Sequence, residues 1–360
     1  MHLFANFAAQ RDAHIRRPVI TIGTFDGVHL GHRQVLDSLV ALAKKEKGRP
    51  GVLTFRVHPR KVLTGQGPLW LTSIPYRLRL FQQAGVKFTT FIPFTKELSL
   101  LSPREFVAQI LVEQLQVKGV VMGYDSCFGH KGSGTPQMME NFGREFGFAV
   151  SKVARVECNT QTAKLSSSAI REFISAGELG RAEQLLARPF ALLGRVAQGQ
   201  QRGRTIGIPT ANLDAAHTAE VLLPPHGVYA TYVFVGPPAQ KALSAQKASP
   251  AQKTLRARAT SPDLLADEQA ALGRFTGPYP AVTNIGVRPT VDANATQAVV
   301  ESHLIDFSRD LYGRTIAVVF AKRLRGEQKF PGLDALRAQI ATDITQARTL
   351  FAHTKPPARI

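Results

Sequence analysis

From Pro18 to about Arg188, short β-branched runs alternate with stretches whose apolar positions recur at helical spacing. Pro18–Ile22 has the pattern of a buried strand, and Gln34–Lys47 follows with Val35, Leu36, Leu39, Val40 and Leu42 at helical intervals. Gly51–Phe55 predicts a second strand, Thr89–Pro93 a third after a helix over Tyr76–Ala84, and Gly119–Met122 a fourth. The helix over Pro103–Leu115 precedes that last strand, with Pro103 suited to a first turn. Strands separated by helices need crossover connections, so this half predicts an α/β domain with a doubly wound parallel sheet. Ser168–Ala176 and Leu179–Leu186 predict two short helices.

After Pro189 the pattern changes to short strands punctuated by Gly and Pro. Ala191–Val196, Val228–Val235, Ala281–Ile285, Val299–Phe307 and Ile316–Lys322 predict a small β-barrel, closed by an amphipathic helix over Leu333–Leu350. The expected domains are therefore 1–188 and 189–353. Residues 237–272 fit neither pattern. They are rich in Ala, Lys, Gln, Ser and Pro, with near-repeats at Ala239-Gln-Lys-Ala242, Ala245-Gln-Lys-Ala248 and Ala251-Gln-Lys253, and hold too few large apolar residues to offset ordering entropy. This segment is expected to be a disordered insertion dispensable for chemistry.

The length of 360 residues suits two domains, and 44% hydrophobic with 20% charged residues excludes collagen-like and wholly disordered classes. The net charge of +19 favours anionic partners without choosing among nucleotides, nucleic acid and acidic lipid. The apolar runs are shorter than the roughly 20 residues that cross a bilayer, so no membrane association is expected. Met1–Pro18 lacks the apolar core of a secretory signal, a transit-peptide-like reading being the weaker alternative. Cys127 and Cys158 are too few for a disulfide framework or a cysteine zinc site, which fits a reducing, cytoplasmic location.

Gly23-Thr-Phe-Asp-Gly-Val-His-Leu-Gly-His32 joins the first strand to the first long helix, where backbone N–H groups and the helix dipole favour a phosphate. His29 and His32 are three apart, so a helix starting by His29 puts both imidazoles on one face. There they can bind phosphate oxygens and stabilise charge at a reacting phosphorus. A polar histidine pair or a metal pair are the blander readings. The loop resembles the H-x-G-H signature of the nucleotidyltransferase superfamily, and with Phe25, Asp26 and Gly27 it resembles the FMN adenylyltransferase branch. The similarity continues in Thr54-Phe55 with His58-Pro59, in Leu71-Thr72, in Asp125 with Phe128-Gly129, and in Leu165-Ser-Ser-Ser-Ala-Ile-Arg171. The resemblance implies ATP contacts from Gly23, Phe25, Asp26, Gly31, Ser166 and Ser167. It implies catalytic roles for His29, His32 and Arg171, and flavin contacts from Phe55, His58, Asp125 and Phe128. Ser166–Ser168 would also cap a helix from Ala169.

Gly199, Arg202-Gly-Arg204 and Gly207-Ile-Pro-Thr-Ala-Asn212 resemble the riboflavin kinase signature. Gly199 and Gly203 permit a loop to wrap phosphates, Arg202 or Arg204 can neutralise them, and Thr210 and Asn212 offer hard oxygens suited to Mg²⁺. The likeness runs on through Gly227-Val-Tyr229, Asn284–Thr290, Glu301–Phe307, Asp310–Gly313 and Leu324-Arg-Gly-Glu327. It implies that Glu301 is the catalytic glutamate and that Tyr229 and Arg325 contact flavin. His303 reads as a packing residue.

Together the two motif sets resemble the prokaryotic bifunctional riboflavin kinase/FMN adenylyltransferase family. That resemblance implies a Rossmann-like nucleotidyltransferase domain followed by a riboflavin-kinase-type barrel, and riboflavin, FMN, FAD and ATP as partners, with Mg²⁺ as cofactor. Weak self-association is a further expectation. Two alternatives stand beside it. Arg56, Val57, Ser126 and Ala169 depart from the family pattern, which motivates a riboflavin kinase with an impaired adenylyltransferase domain. The positive charge motivates a nucleic-acid-binding regulator, although no nucleic-acid motif occurs.

Overall fold

The computed structural model describes residues 1–156, 165–198, 207–238, 268–269, 271–289 and 296–360. The chain forms two compact units, the first from Met1–Pro68, Arg77–Ser166 and the described part of Lys241–Leu272, the second from Leu69–Tyr76, Ser167–Gln240 and Gly273–Ile360.

In the first unit six strands, β1 (His2–Phe4), β2 (Pro18–Ile22), β3 (Arg49–Thr54), β4 (Phe88–Phe91), β5 (Gly119–Gly123) and β6 (Ala149–Val153), form a parallel sheet in the order β1-β4-β3-β2-β5-β6. The predicted doubly wound sheet is observed, and its central strands are buried along nearly their whole length, as parallel strands under helices must be. Helices α1 (Phe7–Asp12), α2 (Leu30–Lys45), α3 (Pro59–Thr64), α4 (Ile74–Gln83), α5 (Lys96–Leu100), α6 (Pro103–Glu105) and α7 (Pro136–Phe146) connect them. α2 buries Val35, Leu36, Leu39 and Ala43. Gly51 on β3 is required by packing, since a Cβ there would lie 2.0 Å from the Phe88 ring.

Three features of this unit differ from the sequence pattern. Met1–Pro18 is part of the fold, with β1 pairing β4, Asn6 capping α1, and Phe7 in the core. The helix expected over Pro103–Leu115 is α-helical only for its first turn and π-helical over Phe106–Gln114, with the Leu115 N–H reaching the Ile110 carbonyl. The sequence pattern above also leaves out α7 and β6, although α7 carries its own signals, with Thr135 capping it, Pro136 in its first turn and Gly147 in left-handed backbone at its end.

The second unit is a closed antiparallel barrel in the order β10-β11-β8-β7-β12-β9, from β7 (Ala191–Ala197), β8 (Ala211–Leu213), β9 (Gly227–Pro238), β10 (Thr276–Pro289), β11 (Thr296–Leu304) and β12 (Arg314–Arg325). Inside it Thr283 shares hydrogen bonds with Thr231 (2.7 Å) and Ser302 (2.8 Å). Outside it the long helix α11 (Leu333–His353) packs Ile344, Ala347, Leu350 and Phe351 against Val228, Ala230 and Val282. The short helices α8 (Ser167–Ser175) and α9 (Leu179–Leu186), which the sequence pattern places in the first domain, belong to this unit. Leu69–Tyr76 joins it too, because Trp70 N–H donates to the Glu220 carbonyl at 2.8 Å and Ser73 Oγ to the Leu193 carbonyl at 2.9 Å. α10 (Ala215–Thr218) lies between β8 and β9.

The expected insertion also needs revision at its edges. Residues 239–267 and 270 lie outside the described residues, but Pro237 and Pro238 end β9, and Glu268, Ala271 and Leu272 are buried.

Candidate active sites

The first site is built where β2 ends. The backbone turns sharply there, with Phe25, Gly27 and Val28 at φ of 48°, 82° and 41°. Left-handed backbone at two non-glycine residues persists only where the surroundings hold it. Phe25 is buried edge-on against Phe81, with ring centroids 5.6 Å apart. Arg77, on α4, donates from Nη1 to the Thr24 carbonyl at 2.5 Å and from Nη2 to the Phe55 carbonyl at 3.2 Å. Burial pushes the Arg77 guanidinium down to about 10, while the charges of Asp26 and Glu268 act to raise it. Asp26 is itself buried.

His29 is the N-cap of α2, and its Nδ1 accepts from the His32 N–H at 3.4 Å. The two imidazoles stack with centroids 3.7 Å apart and planes 16° from parallel, so the expected shared face is observed. Gly31 allows this stacking to lie close to the backbone, since a Cβ there would sit 3.3 Å from the His29 ring and 3.4 Å from Leu165 Cδ2. A Cβ at Gly23 would likewise lie 3.1 Å from the Phe25 ring. The result is a helix N-terminus with amide donors and two adjacent imidazoles, an arrangement suited to a phosphate.

The other residues expected around this site have mixed placements. Phe55 is half-buried and edge-on to Phe94, at 5.6 Å. His58 caps α3, its Nδ1 accepting from the Arg60 N–H at 3.2 Å. Asp125 is exposed beside Tyr124, whose hydroxyl is pushed up by burial first and by the Asp125 charge second. Phe128 is buried in the core against Phe106, so in this structure its ring is not available to a ligand. Ser126 closes a tight turn through its N–H to the Gly123 carbonyl at 3.2 Å. Ser166 is the last residue of its segment of the first unit, whereas Ser167 begins α8 in the second. Arg171 Nε donates to the Leu69 carbonyl at 2.9 Å within the second unit.

The second site lies on the barrel wall. Glu301 on β11 pairs with Asn212 of β8 on one side and Asn284 of β10 on the other. Antiparallel partners share a face, so these three polar side chains form a row across three strands. Asn212 Nδ2 lies 3.4 Å from Thr210 Oγ1 and from the Thr210 carbonyl. His303 Nδ1 is 2.8 Å from the Pro209 carbonyl, tying down the segment that carries Thr210. Beside it opens a cavity of about 400 Å³ lined by Gly207, Thr210, Phe307, Arg309 and Tyr312 among others. Gly199, Arg202, Gly203 and Arg204 lie outside the described residues.

A family model for FAD synthetase matches residues 11–169, and one for riboflavin kinase matches residues 186–351. Proteins named bifunctional riboflavin kinase/FMN adenylyltransferase align along nearly the whole chain. The one from Escherichia coli strain K12 is 35% identical over 94% of both chains, and the one from Pseudomonas fluorescens is 35% identical over 95% of this chain and 97% of its own. The chain belongs to the bifunctional riboflavin kinase/FMN adenylyltransferase family. It is a transferase with an FAD synthetase domain and a riboflavin kinase domain. A solved chain described as a macrolide-efflux protein from Streptococcus pneumoniae has the same fold, with a TM-score of 0.71 at 27% identity, over 97% of this chain and 99% of that one.

Within the riboflavin kinase domain, two residues expected at the flavin are otherwise engaged. Tyr229 has no exposed surface, stands edge-on to Phe320 at 5.2 Å and donates its hydroxyl to the Pro225 carbonyl. Arg325 is clamped by Asp343 of α11, donating from Nε at 3.0 Å and from Nη2 at 2.8 Å. Arg77, Glu268 and Asp343 escape sequence reasoning altogether. Each is a charged residue inside a core, and nothing local distinguishes such a residue from a solvated one.

Proposed function

We propose that the two family activities divide between the two sites, with adenylylation of FMN at the Gly23–His32 loop and phosphorylation of riboflavin at the Thr210–Asn212 and Glu301 wall. In the first, the amides at the start of α2 hold ATP phosphates, and His29 and His32 stabilise the charge that builds on the α-phosphorus. The FMN phosphate attacks, a P–O bond to it forms, the bond to the leaving diphosphate breaks, and no covalent enzyme intermediate is required. In the second, Glu301 accepts the proton of the ribityl 5′-hydroxyl as that oxygen attacks the γ-phosphorus of ATP and ADP leaves. The observation that supports this best is the row Asn212, Glu301, Asn284 next to Thr210, which sets a carboxylate base beside polar, oxygen-bearing side chains on one barrel face.

Thr210 and Asn212 carry a hydroxyl and an amide oxygen, the hard donors that suit Mg²⁺, and their side chains are adjacent; Asn212 turns its Nδ2 toward Thr210 Oγ1 at 3.4 Å, so its Oδ1 would have to rotate toward the ion. When bound it neutralises charge on the ATP phosphates. Among the described residues there is no cluster of three or more His, Cys, Asp or Glu side chains able to hold a metal, and none is needed for an ion carried largely by the nucleotide. No helix among the described residues is long and apolar enough to cross a membrane. The cytoplasm is the proposed location, on the low cysteine content.

The test is a flavin time course by chromatography with riboflavin, ATP and Mg²⁺, run on the parent chain and two variants. His32→Ala is expected to cut FAD formation by more than about tenfold while FMN still accumulates, and Glu301→Ala to stop FMN formation while supplied FMN is still converted to FAD. Loss of both reactions in either folded variant refutes the two-site assignment.

A further inference from the structure

The segment between β9 and β10 has the composition of a dispensable insertion, yet its last turn supplies a buried carboxylate to the first unit. Glu268 is 3% exposed, and both of its oxygens meet Arg56, with Nη2 donating to Oε2 at 2.8 Å and Nη1 to Oε1. Arg56 is 8% exposed, and its guanidinium lies 3.8 Å above the centroid of the Phe91 ring. The neighbouring Arg77 is the guanidinium that holds the Thr24 and Phe55 carbonyls. The charges acting on Arg77 are those of Asp26, Glu268 and Arg56. This interior therefore holds two guanidinium and two carboxylate groups, and one carboxylate, Asp26, belongs to the Gly23–His32 loop.

Buried charges persist when each is matched, and removing one member of a buried set leaves the remainder to rearrange. With Glu268 on Arg56, the Asp26 charge acts on Arg77, whose guanidinium holds the Thr24 and Phe55 carbonyls. Without Glu268, Asp26 is the carboxylate that remains among the groups acting on Arg77, facing two cations, and it sits in a backbone already held at positive φ at Phe25 and Val28. We propose that Glu268 is a positioning residue for adenylyl transfer, neutralising Arg56 so that Asp26 and Arg77 fix the Thr24–Asp26 turn of the ATP-binding loop. The proposal rests on the assignment of that loop as the ATP site.

The experiment measures kcat and KM for ATP in both reactions on the full chain. Glu268→Gln is expected to raise the KM for ATP in FMN adenylylation by about tenfold, with riboflavin phosphorylation within about twofold of the parent. The double variant Arg56→Leu with Glu268→Leu removes both members of the pair, leaves Asp26 to Arg77, and is expected to recover a KM within about threefold of the parent. A role confined to the stability of the first unit would lower the active fraction, and so the apparent kcat of FMN adenylylation, while leaving its KM for ATP at the parental value. If Glu268→Gln does not fold, Glu268→Asp carries the test, with an intermediate KM expected and a parental KM counting against the role. His32→Ala is run alongside. If it leaves FAD formation intact, the ATP-site assignment fails. If it abolishes FAD formation while Glu268→Gln keeps a parental KM, or while the double variant is as impaired as the single one, the positioning role is overturned and the site stands.

Discussion

At the scale of single residues, the hydroxyl chain inside the barrel shows how polar side chains become part of a core. Thr231, Thr283 and Ser302 are fully buried, and Thr283 bonds both neighbours. Thr283→Val removes the shared partner while leaving the shape nearly unchanged, so two buried hydroxyls lose hydrogen bonds at a cost of about 1–3 kcal/mol. The expected result is a lower urea midpoint for the barrel, with the KM for riboflavin little changed. The residue types of the two sites are legible in the sequence, because phosphate loops and hard-oxygen donors need particular side chains at particular spacings. The direction of each side chain is less so. His29 and His32 stack as their three-residue spacing implies, whereas Phe128 and Tyr229 turn into cores, since strands and helices distant in sequence decide which aromatic faces are covered.

At the scale of elements, α11 is fixed to the barrel by more than its apolar stripe. Asp343 is 1% exposed, accepts from Arg325 on β12 through both oxygens, and also accepts from Gln339 Nε2 at 2.9 Å. Asp343→Ala strands the Arg325 guanidinium in a partly buried position, and loss of one partner of such a pair costs about 3–5 kcal/mol. Hydrogen exchange is expected to speed up along Leu333–His353 and β12 well before it does in the parallel sheet. Uniform acceleration over both units would show that the clamp is not local. Long, periodic elements such as α2 and α11 are found by their pattern. β8 is not, being three residues that form a strand only because β7 and β11 offer backbone partners on each side. The π-helical stretch after α6 is hidden as well. Phe106, Val107, Ile110 and Leu111 are buried there at spacings an α-helix also satisfies, so the apolar pattern does not mark the wider turn.

At the scale of the whole molecule, the chain order of the barrel conceals a residue that belongs to the other unit. A chain lacking residues 241–266 retains Glu268 and is expected to carry out both reactions at rates within a few-fold of the parent. Extending the deletion through Leu272 removes Glu268, and FAD formation is expected to fall by about tenfold while FMN formation persists. Equal behaviour of the two deletions in the flavin time course would detach the segment from adenylyl transfer. The two architectures, the order of the domains and the positions of the Gly23–His32 loop and the Thr210–Asn212 segment are legible in the sequence, because periodicity and short-range backbone chemistry are local properties of the chain. Only long-range packing puts α8 and α9 in the second unit, buries Tyr229 and brings Glu268 to Arg56 across 212 positions. Those outcomes depend on which charges and rings share a low-dielectric interior, and a pairing between residues so far apart leaves no periodic or compositional mark on either one.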